Sequence, residues 1–256
     1  MIFDTHAHYD DSDFDIDRDE LLKQMNKAGI SHIVNVGASL ESTKRTLELA
    51  NQYDFIYAAV GIHPCDVDKL NEENFAWLRE QCYAPKVVAV GEIGLDYYWD
   101  EPDRAIQKEW FARQIHLAKE VKLPLIIHSR DAAQDTIDIM KSEKASEAGG
   151  IVHCFSYTKE TAKIFLDMNF SFGIGGVVTF KNSKKLKEAV EYIPMDKIVI
   201  ETDCPYLSPE PFRGKRNSSL NLPYVIKAIA QLKNLTEEEV MKITYENAKK
   251  IYRIED

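Results

Sequence analysis

Met1-Ile2-Phe3-Asp4-Thr5-His6-Ala7-His8-Tyr9-Asp10 is an apolar run with two closely spaced histidines near its end. As a strand it alternates sides, so Asp4, His6 and His8 share one face and Phe3, Thr5 and Ala7 the other. Two imidazoles on one face of a strand that curls into a barrel can converge on a single divalent metal. A His-X-His pair alone is weak evidence, and becomes informative only if later strands bring further ligands.

Further apolar, β-rich runs follow at 32–38, 56–62, 87–95, 124–129, 150–155, 170–178 and 198–204, which with 1–9 makes eight. Segments of helical periodicity lie between them: Arg18–Ala28, Leu40–Gln52, Glu72–Gln81, Asp103–Val121, Ala132–Lys141, Thr158–Met168 and Ser183–Glu191. Strand alternating with helix implies parallel pairing, and eight such units predict a (β/α)8 TIM barrel, an α/β fold, over residues 1–256 as a single domain. A doubly wound open sheet would carry a glycine-rich phosphate turn after its first strand, where this chain has His6-Ala7-His8. Leu222–Lys233 and Thr236–Tyr252 read as extra C-terminal helices, the second opening with Thr236 and Glu239 at capping-box spacing.

With 45% hydrophobic residues the chain can bury one large core. It has no apolar run long enough to span a bilayer and no basic-then-apolar leader pattern, so a soluble, cytoplasmic protein with no membrane partner is expected. Cys65, Cys82, Cys154 and Cys204 are scattered without metal or disulfide spacing and read as free thiols. A net charge of −10 argues against a protein that coats long duplex DNA through counterion release, but leaves room for a phosphate held locally by metals and a few cations.

Five of the seven histidines, His6, His8, His63, His128 and His153, fall at the C-terminal ends of the expected strands, where barrel active sites lie. His32 opens the second strand at the other end and His116 lies mid-helix, so both have structural readings. Glu92 comes late in the fourth strand and Asp203 at the end of the eighth. A structural salt bridge explains either acid singly; six ligand-type residues at one end of five strands point to metal. His6, His8 and Asp203 can share one ion and His128 and His153 another, with Glu92 bridging ions about 3.5–4 Å apart. Glu201 and Asp4, one layer down on the same faces, could orient a ligand histidine.

These motifs, Phe3–His8, Gly61-Ile62-His63-Pro64, Gly91–Tyr97, Ile127-His128-Ser129-Arg130, His153-Cys154-Phe155-Ser156 and Glu201–Leu207, closely resemble the TatD-type metal-dependent deoxyribonucleases of the metal-dependent hydrolase superfamily of TIM barrels. The resemblance runs the length of the chain and implies a divalent-metal phosphodiesterase acting on DNA, with His6, His8, Glu92, His128, His153 and Asp203 matching the family's metal ligands. The loop Arg216-Asn217-Ser218-Ser219-Leu220-Asn221-Leu222-Pro223 departs from the family's Arg-Asn-Glu-Pro pattern, which puts in doubt any contact made there.

The expected mechanism is hydrolysis by water activated between two divalent ions, with Glu92 and Asp203 as catalytic acids and His63 and Arg130 as donors to substrate phosphate oxygens. Histidine with carboxylate suits zinc, manganese, iron or nickel, and magnesium prefers oxygen ligands. Tyr97, Tyr98 and Trp99 could stack bases, and Lys181, Lys184, Lys185, Lys187, Arg213, Lys215 and Arg216 follow strands seven and eight. Together these suggest a 3′-to-5′ exonuclease preferring single-stranded DNA ends. A related ester hydrolase, acting on D-aminoacyl-tRNA or a lactone, is the alternative, and a non-catalytic binding barrel a further one.

Overall fold

The computed structural model describes residues 1–255. Its strands are β1 (Ile2–Ala7), β2 (Ile30–Val36), β3 (Ile56–Val60), β4 (Val87–Asp96), β5 (Leu125–Arg130), β6 (Gly150–Val152), β7 (Ser171–Ile174) and β8 (Ile198–Ile200). They form one eight-stranded sheet ordered as in the chain, and a parallel bridge between Ala7 and Cys204 carries it back onto its first strand. With helices between the strands this is the expected (β/α)8 TIM barrel, nearly closed. The intervening helices are α1 (Arg18–Leu22), α2 (Leu40–Gln52), α3 (Glu72–Gln81), α4 (Arg104–Val121), α5 (Ala133–Ser142), α6 (Lys159–Asp167) and α7 (Lys184–Tyr192), followed by α8 (Leu222–Lys233) and α9 (Glu237–Tyr252). Among the described residues no helix is long and apolar enough to cross a membrane.

Two compact units divide the described residues: 1–35, 154–163 and 171–255 in one, 36–153 and 164–170 in the other. In the first, the alternation read from β1 holds. Phe3 stacks on His32 at 5.0 Å and meets the rings of Tyr245 and Tyr252 from α9, and the Tyr252 hydroxyl donates to the Thr5 carbonyl at 2.9 Å. His32 is thus a packing residue, as its position suggested. The capping box of α9 is present, with Thr236 Oγ1 accepting from the Glu239 amide and Glu239 Oε2 accepting from the Thr236 amide. Arg18–Ala28 is not one helix: α1 stops at Leu22 and the chain tightens into a 3-10 turn over Asn26–Ala28, ended by Gly29 in the left-handed region at φ 83°.

In the second unit β3, β4 and β5 approach closely through glycines. A Cβ on Gly61 would lie 2.7 Å from the Gly91 carbonyl carbon, and one on Gly91 would lie 2.5 Å from the Ile126 Cβ. His116 is an exposed α4 residue paired with Glu143 at 2.7 Å, again a structural role. None of the four cysteines is in a disulfide, and Cys82 and Cys204 are buried.

Candidate metal centre

β6 and β8 end earlier than their apolar runs suggest, at Val152 and Ile200. The backbone then turns left-handed at Cys154 (φ 45°) and at Asp203 (φ 57°), which places His153 and Asp203 just beyond the strands. Non-glycine residues reach this region only where surrounding contacts hold them there, and such residues gather at functional sites.

In the first unit His6 and His8 direct their Nε2 atoms to within 3.0 Å of each other. Asp203 Oδ1 lies 3.4 Å from the His8 nitrogen and 3.8 Å from that of His6. Donors about 2.0–2.2 Å from a shared ion stand roughly 3.0–3.8 Å apart over ligand angles of about 95–130°, so the spacing and the nitrogen-and-carboxylate chemistry fit a divalent cation. Asp4, fully buried, holds this corner through the backbone. It accepts from the Thr202 amide at 3.0 Å, the Thr202 hydroxyl at 2.7 Å, the Ser219 hydroxyl at 2.6 Å and the His6 amide at 3.3 Å. Burial outweighs these bonds and pushes its carboxyl up to about 7. Asp4 therefore bonds to the His6 main chain, not to its ring. Glu201 has a carboxylate oxygen within 4.8 Å of a His6 ring nitrogen and accepts the Cys154 amide at 2.6 Å. Gly173 makes room for it, since a Cβ there would fall 1.9 Å from Glu201 Oε2.

The loop that departs from the family pattern is built into this unit. Buried Asn217 donates to the Thr202 carbonyl at 3.0 Å, and the Ser219 amide donates to the Tyr9 hydroxyl at 2.9 Å. On β2, Asn35 accepts the Tyr9 amide at 2.6 Å and donates to Asp10 at 2.7 Å, fixing the chain just beyond His8. Neither asparagine carries a spacing signal in the sequence.

In the second unit buried Glu92 is the hub. Its Oε1 lies 2.6 Å from His128 Nδ1, 3.4 Å from His153 Nε2 and 4.0 Å from His63 Nε2. His63 caps the 3-10 turn Pro64–Lys69, and its Nδ1 accepts the Cys65 amide at 3.2 Å. That bond leaves the proton of a neutral His63 on Nε2, the atom facing Glu92. His128 also meets Asp96, with Nε2 3.1 Å from Oδ2. Burial pulls the His128 imidazole down, but the bonds to Asp96 and Glu92 prevail and hold it above the ordinary histidine value. Burial likewise would raise Asp96, and the bonds from His128 and the Trp99 amide bring it below the usual carboxylate value. Cys65 lies within 4.8 Å of His63 and Asp96 donors, and in the ion-free protein burial and nearby carboxylates push its thiol up to about 12.

Arg130 ends β5 with its guanidinium 3.8 Å from the Tyr98 ring centre. Tyr98 and Trp99 are exposed and meet edge to face at 5.1 Å. Tyr97 is not part of that exposed group: its hydroxyl donates to Asp135 at 2.6 Å and Arg104 covers its ring. In the first unit Lys181, Lys184 and Lys185 are exposed, Lys187 donates to the Phe180 carbonyl, and Arg216 pairs with Asp17.

The family profile described as TatD related DNase matches residues 3–253. The "Uncharacterized metal-dependent hydrolase YabD" of Bacillus subtilis is 50% identical over 254 residues, 99% of this chain and 100% of that protein. The "3'-5' ssDNA/RNA exonuclease TatD" of a Rahnella species is 31% identical, covering 99% of this chain and 98% of its own. Among solved structures, that of YjjV, a TatD homologue from Escherichia coli, superposes with a TM-score of 0.93 at 29% identity over 99% of this chain and 98% of that one. The chain belongs to the TatD-related DNase family and is a metal-dependent hydrolase acting on ester bonds.

Proposed function

We propose that this protein is a deoxyribonuclease that removes nucleotides from the 3′ end of single-stranded DNA with two divalent ions. The observation that carries the reading is the pair of donor clusters, His6–His8–Asp203 in one unit and Glu92–His128–His153 in the other, the latter in the unit where Arg130 backs the exposed Tyr98 and Trp99. When bound, the ions supply the Lewis acidity that makes a water nucleophilic near neutral pH and steadies the departing oxygen. His6, His8 and Asp203 would hold one ion, and Glu92, His128 and His153 the other. His63 donates its Nε2 proton to a non-bridging phosphate oxygen as charge builds there. Arg130, stacked on Tyr98, keeps its edge N–H groups for the same phosphate, and Trp99 stacks a base. The 3′ polarity is supported by the name of the Rahnella relative.

The decisive experiment compares a linear single strand, labelled at either end, with its covalently closed circle, in manganese, magnesium or zinc. The linear strand is shortened from its 3′ end and the circle persists. Equal cleavage of both forms overturns end dependence, and D-aminoacyl-tRNA hydrolysis without DNA cleavage overturns the substrate class. Trp99→Ala is expected to raise the dissociation constant for a short single strand about 5- to 150-fold, the equivalent of roughly 1–3 kcal/mol of stacking. Fluorescence anisotropy checks this, and an unchanged affinity removes Trp99 from the binding surface.

Metal affinity should fall with acidity, because histidine ligates only when neutral and its ordinary pKa is about 6.5. Since His128 is held above that value in the ion-free protein, protons compete at its cluster while the pH is still above about 6.5. Calorimetric titration of zinc at pH 8, 7 and 6 should show progressive weakening. A constant affinity across this range excludes the histidine set.

A further inference from the structure

Asp96 ends β4 four residues after Glu92 and is 1% exposed. Its Oδ1 accepts the amides of Tyr98 at 2.9 Å and Trp99 at 3.1 Å, and its Oδ2 faces His128 Nε2 at 3.1 Å. Its main chain is clamped as well: buried Gln107 of α4 accepts the Asp96 amide at 2.9 Å and donates to the Asp96 carbonyl at 3.1 Å and the Pro102 carbonyl at 2.9 Å. The carboxylate is therefore fixed both by its own backbone and by the two amides it caps. The other nitrogen of the same imidazole, Nδ1, lies 2.6 Å from Glu92 Oε1.

We propose that Asp96 is the positioning residue that sets the His128 tautomer, taking the Nε2 proton so that Nδ1 presents its lone pair on the Glu92 side, where a divalent ion is held. This rests on the metal reading above. A neutral imidazole has one N–H and one acceptor nitrogen, so whichever group claims the proton also decides which nitrogen can ligate. A carboxylate can only accept from Nε2, and it raises the ligand's basicity in doing so. Because the opposite oxygen caps Tyr98 and Trp99, one side chain orders both the ligand and the start of the aromatic loop.

Asp96→Asn separates these two tasks. The amide oxygen still caps the Tyr98 and Trp99 N–H groups, while the amide nitrogen turns a donor toward Nε2 and drives the proton to Nδ1, the ligating atom. In the zinc-loaded wild-type protein, nitrogen-15 correlation spectra should show the His128 proton on Nε2 and Nδ1 bound to zinc; a proton on Nδ1 overturns the proposal whether or not the variant folds. In calorimetry Asp96→Asn should weaken one of two zinc sites about 10- to 100-fold and leave the other unchanged. Two sites of wild-type affinity in a folded Asp96→Asn protein overturn the proposal while leaving the metal reading standing. A wild-type protein that takes up no zinc overturns the metal reading itself, and this inference with it.

Discussion

Glu92→Gln is expected to leave the fold intact and to lower the turnover number by roughly 10³-fold, the equivalent of about 4 kcal/mol of transition-state stabilisation. The side chain is buried, and its Oε1 lies 2.6 Å from His128 Nδ1 and 3.4 Å from His153 Nε2. Glutamine fills the same volume, and the bond from the residue 92 amide to the Gly37 carbonyl belongs to the backbone, so neither packing nor β4 depends on the charge. What changes is the electrostatics. A carboxylate offers two anionic oxygens to a cation, whereas an amide offers one neutral oxygen and turns an N–H pair toward the other position. Metal analysis should fall from two ions per chain toward one, and the ion-free protein should lose some stability, since His128 keeps only a neutral acceptor where it had a carboxylate. Two ions bound at wild-type affinity, with turnover unchanged, would refute Glu92 as a metal ligand.

The architecture was readable because period and punctuation agree along most of the chain. The limits of α2, α3 and α8 coincide with their periodic segments, and α9 starts at the Thr236 cap that its spacing announces. The helix expected at Arg18–Ala28 breaks, because the tight turn before Gly29 has no mark in the apolar pattern. Strand ends were harder to read for a related reason. The run at 150–155 stays largely apolar to its last residue, while 198–204 mixes Glu201 and Asp203 into a β-prone stretch, and neither pattern announces the left-handed turns at Cys154 and Asp203. Those turns are set by distant partners, such as the Glu201 carboxylate on the Cys154 amide and the His6 carbonyl accepting from the Asp203 amide.

The ligand-type residues were legible as a set because histidines at strand ends are rare enough to be noticed together. Asp96 was not, although it ends the same Gly91–Asp96 motif as Glu92. An acid beside an aromatic run looks like a loop residue until the β4–β5 register pairs it with Arg130 and its Oδ2 is found 3.1 Å from His128 Nε2. Tyr97 and Tyr98 show the same limit, being alike in sequence. Asp135, far along the chain, takes the first hydroxyl and leaves the second ring to Arg130.

Gly94→Ala is expected to destabilise the protein by roughly 3 kcal/mol or more, which for a chain of this size lowers the melting temperature by about 6–12 °C. Two independent effects add at this position. Gly94 sits at φ +149°, a backbone conformation that side-chain-bearing residues rarely adopt, and a Cβ built there would lie 1.9 Å from the His128 carbonyl oxygen and 2.8 Å from its carbonyl carbon. The obstacle is the main chain of the neighbouring strand, which pairs Gly94 directly with His128 and cannot swing aside as a side-chain tip would. Relief therefore requires β4 and β5 to separate at His128, the proposed metal ligand, so Gly94→Ala should also weaken zinc binding at the His128 cluster. Gly29→Ala is the matched control: its φ of +83° is also left-handed, but nothing lies within 4 Å of the added carbon, and the expected cost is about 1 kcal/mol with zinc binding untouched. Thermal unfolding of the two ion-free variants, followed by zinc titration of each, makes the comparison. If Gly94→Ala proves no less stable than Gly29→Ala and binds zinc as tightly, then the close approach of β4 to β5 is not what holds His128 in place.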